Sequence, residues 1–154
     1  MVVSIEGKKY WLWRAVDASG YVLDALLQSR RNKGTALRLM RKLLKSQGVT
    51  PLVMVTDKPR SYFAAKRQLM PGIEHRLHKG LNNRVENSHL PVRRRKKCMV
   101  RFKSAQQCQR FVSTHCHVAN LFHLYRKHMT ATDHRQLRAH ASSTWREIAL
   151  SFKA

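Results

Sequence analysis

Apolar and polar positions alternate near the N-terminus and then switch to a helical period, and that change organises the chain. Val2–Ile5, Lys9–Val16 and Tyr21–Leu27 are rich in β-branched and aromatic residues, which suit a pleated, half-buried surface. Glu6–Lys8 and Asp17–Gly20 between them are turn chemistry. The spacing predicts an antiparallel three-stranded meander. Asn32 is placed to cap a helix over Lys33–Gln47, closed by Gly48, with Ala36, Leu37, Leu39, Met40, Leu43 and Leu44 on one side. Pro51–Thr56 is an apolar run short enough for a buried parallel strand. A helix from Pro59 to about Met70 and a short strand over Gly72–Arg76 follow. Ser104 caps a long helix to about Tyr125, with Cys108, Phe111, Val112, His115, Ala119, Phe122 and Tyr125 on one face. A last helix spans about Asp133 to Phe152, with Trp145, Ile148, Leu150 and Phe152 as its apolar content.

A meander, a crossover helix and then a parallel strand is the order of the ribonuclease H-like fold, an α/β layer structure with carboxylates near the middle of its sheet. The 154 residues and 43% hydrophobic content suit one domain with a modest core. No apolar run approaches the roughly 18 residues of a membrane span. Cys98, Cys108 and Cys116 are an odd set without paired spacing, so a reducing cytoplasm is expected rather than a disulfide framework.

Charge changes the picture most. Lys and Arg number 31 against 8 Asp and Glu, a formal net charge of +23. Such an excess on a short chain points to a polyanion, and nucleic acid is the first choice. The basic residues are spread through the chain rather than flanking an apolar anchor, which disfavours a membrane. The run Arg93, Arg94, Arg95, Lys96 and Lys97 reads as a loop, either solvated or tracking phosphates.

With so few acids, their positions carry information. Asp57 follows the apolar run Pro51–Thr56, at the carboxyl end of a strand, where open α/β sheets place their chemistry. Glu86 stands among Asn82, Asn83 and Arg84 in the polar patch Lys79–His89. Two carboxylates approach closely only with a cation between them. Mg²⁺ takes one or two carboxylates plus phosphate oxygens, and two such ions clamp an in-line displacement at phosphorus. The bland alternative is that Asp57 caps the next helix and Glu86 pairs with Arg84 or a lysine.

Weaker candidates are a zinc site from Cys98, Cys108, His115, Cys116 and His117, and base stacking by Trp11, Trp13 and Trp145. Zinc sites favour tighter ligand pairs than these. Trp residues in strands are more often core. His75, His78 and His89 flank the carboxylates, either solvated or assisting at phosphate or in proton transfer.

Several stretches in order now match a known group: KYWLWRAVDASG (9–20), RRNK (30–33), VTDKPRSY (55–62), EHR (74–76) and NNRVENSH (82–89). Over roughly residues 1 to 125 the chain resembles bacterial DDE transposases of insertion sequences, family six. The resemblance implies a ribonuclease H-like catalytic core that cuts and joins DNA at transposon ends, with Mg²⁺ or Mn²⁺ in a two-metal site. By motif, Asp57 is the second acid and Glu86 the third, while Asn82, Asn83 and Arg84 line the DNA. The core is expected over residues 1–100, with a helical part over 101–154 that completes or extends it.

In the family the first aspartate belongs to an Asp-Glu pair opening the first strand, ahead of the segment matching Val2–Ile5. Asp17 matches a different, non-catalytic aspartate. The expectation is therefore an N-terminally truncated copy whose first strand is shortened, whose metal site is weakened and which is inactive alone. The competing reading is a non-catalytic nucleic-acid-binding module, or an inhibitor that forms mixed oligomers with a full-length transposase. Implied partners are DNA at transposon ends and targets, and further copies of the chain. The implied location is the cytoplasm, on the nucleoid.

Overall fold

The computed structural model describes residues 1–56, 59–77, 83–98, 102–124 and 129–151. Three strands open the chain: β1 (Val2–Ile5), β2 (Lys8–Val16) and β3 (Val22–Gln28). They form an antiparallel sheet in the order β1-β2-β3, which is the expected meander. The first turn is only Glu6 and Gly7, with φ of 49° and 75°. Positive φ at both centre positions matches the twist of the strands it joins, and the flanking pair Ile5 and Lys8 closes it.

Helix α1 (Lys33–Gln47) has the expected ends. The Asn32 side chain accepts from Thr35 N–H at 3.0 Å, and Gly48 turns left-handed at φ 67° to bond back to Leu44. Then come β4 (Val53–Thr56), α2 (Pro59–Leu69), β5 (Glu74–Leu77), α3 (Asn83–Cys98), α4 (Ala105–Leu121) and α5 (Ala131–Ser151). Ser104 caps α4 by accepting from Gln107 N–H. A reciprocal box caps α5: Asp133 accepts from Thr130 N–H at 3.0 Å, and Thr130 Oγ1 accepts from Asp133 N–H.

The packing is layered. One face of the meander carries Val3, Ile5, Leu12, Ala25 and Leu27 against Val92 of α3 and Cys108, Val112 and Cys116 of α4. The other carries Trp13, with Trp11 and Leu26 beside it, against Ala36, Leu39 and Met40 of α1 and Ala65 of α2. Strand side chains alternate between faces, so the register Leu12 to Leu27 and Trp13 to Leu26 sorts these residues into the two cores. The result is mixed α/β, with helices on both sides of the sheet.

Two expectations are corrected. Among the described residues the sheet is in two pieces: β4 pairs in parallel with β5, from Val53 with Glu74 to Thr56 with Leu77, and not with the meander. The four residues of β4 fill only one edge, and Leu52 and Val53 are exposed. The basic run Arg93–Lys97 is not a loop but the second half of α3, which continues through Pro91. Trp13 is core, as expected of a strand tryptophan: it is buried edge-to-face against Tyr62, with ring centroids 5.2 Å apart.

Candidate active site

Asp57 itself lies outside the described residues, as do His78 and Asn82. What can be placed is the strand end that carries Asp57. Thr56, the last residue of β4, is buried, and its Oγ1 lies 2.8 Å from His75 Nε2 on β5. Burial, and then the positive charge of Lys66, push the His75 imidazole below its usual pKa. It is a neutral hydrogen-bonding group here, tied to the sheet rather than standing free at phosphate.

Glu86 sits in the first turn of α3, an end where the helix dipole favours negative charge. It is exposed and makes no ion pair with a described side chain. A cavity of about 570 Å³ is lined by Glu86 and by Thr56, with Arg14, Asp17 and His89 also on its wall. The glutamate and the strand end before Asp57 therefore open on the same space. Among the described residues no three His, Cys, Asp or Glu side chains gather as a metal cluster.

The inward face of α3 explains why Glu86 is held there. Val92 and His89 are buried, His89 at 4% exposure, and they pin the helix to the meander. Helical geometry then places Asn83, Glu86, Arg93 and Arg94 on one outward face, and all four are exposed. Arg95 is exposed but turned toward α4, where its charge helps lower the pKa of His115. The side chains of Arg84, Lys96 and Lys97 are outside what is described.

Positive charge gathers around His89 on the cavity wall. Burial pushes the His89 pKa down to about 3, helped by the N-terminal ammonium, Arg14 and Arg93. His89 is neutral and buried, which removes it from the solvated or proton-shuttling roles open to it in the sequence. Arg14 is the residue that sequence reasoning missed. It is 6% exposed; Nη1 donates to the Ser88 carbonyl and Nη2 to Cys116 Sγ at 3.1 Å. The signal was present: Arg14 follows Leu12 at a strand's period of two, on the inward face. Among the described residues the zinc candidates do not gather: Cys108 and Cys116 are packed into the core and His117 is exposed, while the Cys98 side chain is outside what is described. Asp17 is structural: its Oδ1 accepts from Ser19 N–H at 2.8 Å and Tyr21 N–H at 2.9 Å, closing the second turn.

A family model described as a DDE domain matches residues 1–128. The chain belongs to the DDE domain family. Among curated proteins it is similar to the transposase for insertion sequence-like element IS431mec of Staphylococcus aureus, 28% identical over 153 residues, covering 96% of this chain and 63% of that protein. It is equally similar to the transposase for insertion sequence element IS257 in transposon Tn4003 of Staphylococcus aureus, with the same identity and coverage. An uncharacterized protein, pYV0051 of Yersinia pseudotuberculosis, is 36% identical over 70 residues, 44% of this chain and 65% of that protein. The chain thus spans less than two thirds of the length of the transposases it matches. No solved structure matches it. No helix among the described residues is long and apolar enough to cross a membrane.

Proposed function

We propose that this chain is the DNA-handling core of an insertion-sequence transposase, with Asp57 and Glu86 sharing Mg²⁺ or Mn²⁺. The carrying observation is that Glu86 and Thr56, the residue before Asp57, line one cavity. The donor set fits such an ion: Glu86 is an exposed carboxylate with no ion pair among the described residues, and Mg²⁺ accepts one or two carboxylates with phosphate oxygens completing its shell. A bound ion would polarise the scissile phosphate and activate the attacking hydroxyl. The chain's own residues do the rest. The Thr56–His75 link holds the strand end, Val92 and His89 hold α3, and Arg93 and Arg94 extend Glu86's face along a DNA backbone. The ribonuclease H-like layering, with residues 1–100 as core and 101–154 completing it through α4, belongs to this proposal. So do action on transposon ends in the cytoplasm and assembly with further copies.

The net charge of +23 favours a second reading, a basic nucleic-acid-binding module without chemistry. Fluorescence anisotropy with a duplex from an insertion-sequence end, with and without Mn²⁺, separates them. Under the transposase reading Mn²⁺ tightens binding, and Glu86→Ala abolishes only that metal-dependent part. If Mn²⁺ has no effect and Glu86→Ala binds equally or slightly more tightly, the plain module is correct.

A further inference from the structure

Two consecutive aromatic residues on α2 point different ways. Tyr62 turns inward and meets the buried Trp13 edge to face. Phe63, one position on and roughly 100° round the helix, stays 52% exposed. Its ring is nonetheless held in place. It lies over the His75 imidazole with centroids 6.4 Å apart and planes 23° from parallel, within the range of offset aromatic stacks. His75 is held in turn by Thr56, the residue before Asp57. Phe63 therefore stands two contacts from the strand end, backed on one side and open to solvent on the other.

The surroundings of the ring are cationic. Lys66 and Arg67 follow Phe63 by three and four positions on α2, the spacing that makes helical side chains neighbours. The charge of Lys66 is felt at His75, and its ammonium is anchored at 2.9 Å to the Pro71 carbonyl. Arg67 is exposed, and α2 carries no acid. On β5, alternation places the half-exposed Leu77 on the same face as His75, and the ion pair of Glu74 with Arg76 on the other. A purely apolar partner would cover the ring and leave Lys66 and Arg67 unused. A second copy of this chain, at a net charge of +23, would bring more cations against them. A nucleotide uses both features, its base on the ring and its phosphates on the cations.

We propose that Phe63, backed by His75, is a stacking platform for one unpaired nucleobase beside the strand end that leads to Asp57, with Lys66 and Arg67 on the flanking phosphates. Every base has a π-face, so such a platform selects unpaired nucleotides over paired ones rather than one base over another. The inference rests on the DNA-handling reading above and needs no metal.

The test is fluorescence anisotropy on the full chain with two labelled single strands of about twelve nucleotides, at one salt concentration. One is oligothymidylate; the other has the same phosphates and abasic sugars. The parent is expected to bind the thymidylate about tenfold more tightly than the abasic strand. Phe63→Ala and Phe63→Leu lose that preference, yet bind the abasic strand and a blunt duplex as the parent does. Leucine keeps the apolar bulk, so its failure assigns the effect to the ring. Phe63→Trp keeps the preference, and its added emission is quenched by thymidylate and not by the abasic strand. Circular dichroism confirms that each variant is folded. No base preference in the parent, a preference retained by folded Phe63→Ala or Phe63→Leu, or unquenched emission in Phe63→Trp would overturn the proposal. Duplex binding intact in those cases would leave the DNA-handling reading standing, whereas a chain that binds neither strand nor duplex would overturn both. A change in sedimentation in Phe63→Ala with the base preference intact would place a protein surface on the ring, and would overturn the proposal too.

Discussion

Thr56 and His75 join the two strands of the parallel pair, Oγ1 to Nε2, at 2.8 Å. The bond spans neighbouring strands and fixes the residue immediately before Asp57. Thr56→Val keeps the volume and removes the hydroxyl, leaving a half-buried imidazole without that partner. The expected cost is about 1–2 kcal/mol in urea unfolding, together with weaker Mn²⁺ binding. Unchanged metal affinity would show that the link does not position the site.

Acid sensitivity follows from His89. Its folded-state pKa is about 3, while an unfolded chain holds its histidines near the ordinary value of roughly 6.5. The unfolded state therefore takes the proton first. Stability is full above about pH 6.5 and is lost as pH falls toward the folded value, at about 1.4 kcal/mol per pH unit for this one group. His75 and His115 are lowered as well and act with the same sign. Urea unfolding from about pH 7 to about pH 4 is expected to show a shallower loss in His89→Leu than in the parent.

The outward face of α3 separates its arginines. Arg93 and Arg94 share the outward face of Glu86 about two turns further along α3, whereas the charge of Arg95 is felt by His115 on α4. The double variant Arg93→Ala with Arg94→Ala is expected to lower the log–log salt slope of duplex binding by about 2, since each phosphate contact contributes roughly 0.9. Arg95→Ala is expected to change the slope little. Equal losses from all three would mean that the run acts as a diffuse charge rather than through one helical face.

Arg14 is a buried cation with no described carboxylate against it. Such a group carries a desolvation cost that an apolar side chain avoids. Arg14→Met is expected to leave thermal stability equal or higher, and to raise the pKa of His89 and His115, both of which Arg14 depresses. NMR titration of the imidazoles reads the shift. Unmoved histidines would remove Arg14 from the electrostatics of the site.

Much of the fold is legible in the sequence where local chemistry and tertiary packing agree. The meander and α1 combine turn residues, caps and a clean period, and their bounds fall within a residue of expectation. Helix α3 was hidden for a physical reason. Pro91 lacks an N–H and ordinarily breaks a helix, and the neighbouring Arg93–Lys97 run carries little apolar periodicity. Among the described residues, Val92, His89 and the Arg14 bond to the Ser88 carbonyl hold that segment against the meander. The division of the sheet was equally unreadable, because pairing between β4 and β5 is long-range and no local signal specifies it. The candidate acids were found from their scarcity and from motif, but the Arg14 contacts with Ser88 and Cys116 join residues far apart in sequence.

The most direct measurement is Mn²⁺ binding by electron paramagnetic resonance to the full chain, to Asp57→Ala and to Glu86→Ala. Circular dichroism confirms that each variant is folded. A bound Mn²⁺ signal in the parent chain that is lost in both variants is the expected result. Equal Mn²⁺ affinity in all three folded proteins would contradict a metal shared between Asp57 and Glu86.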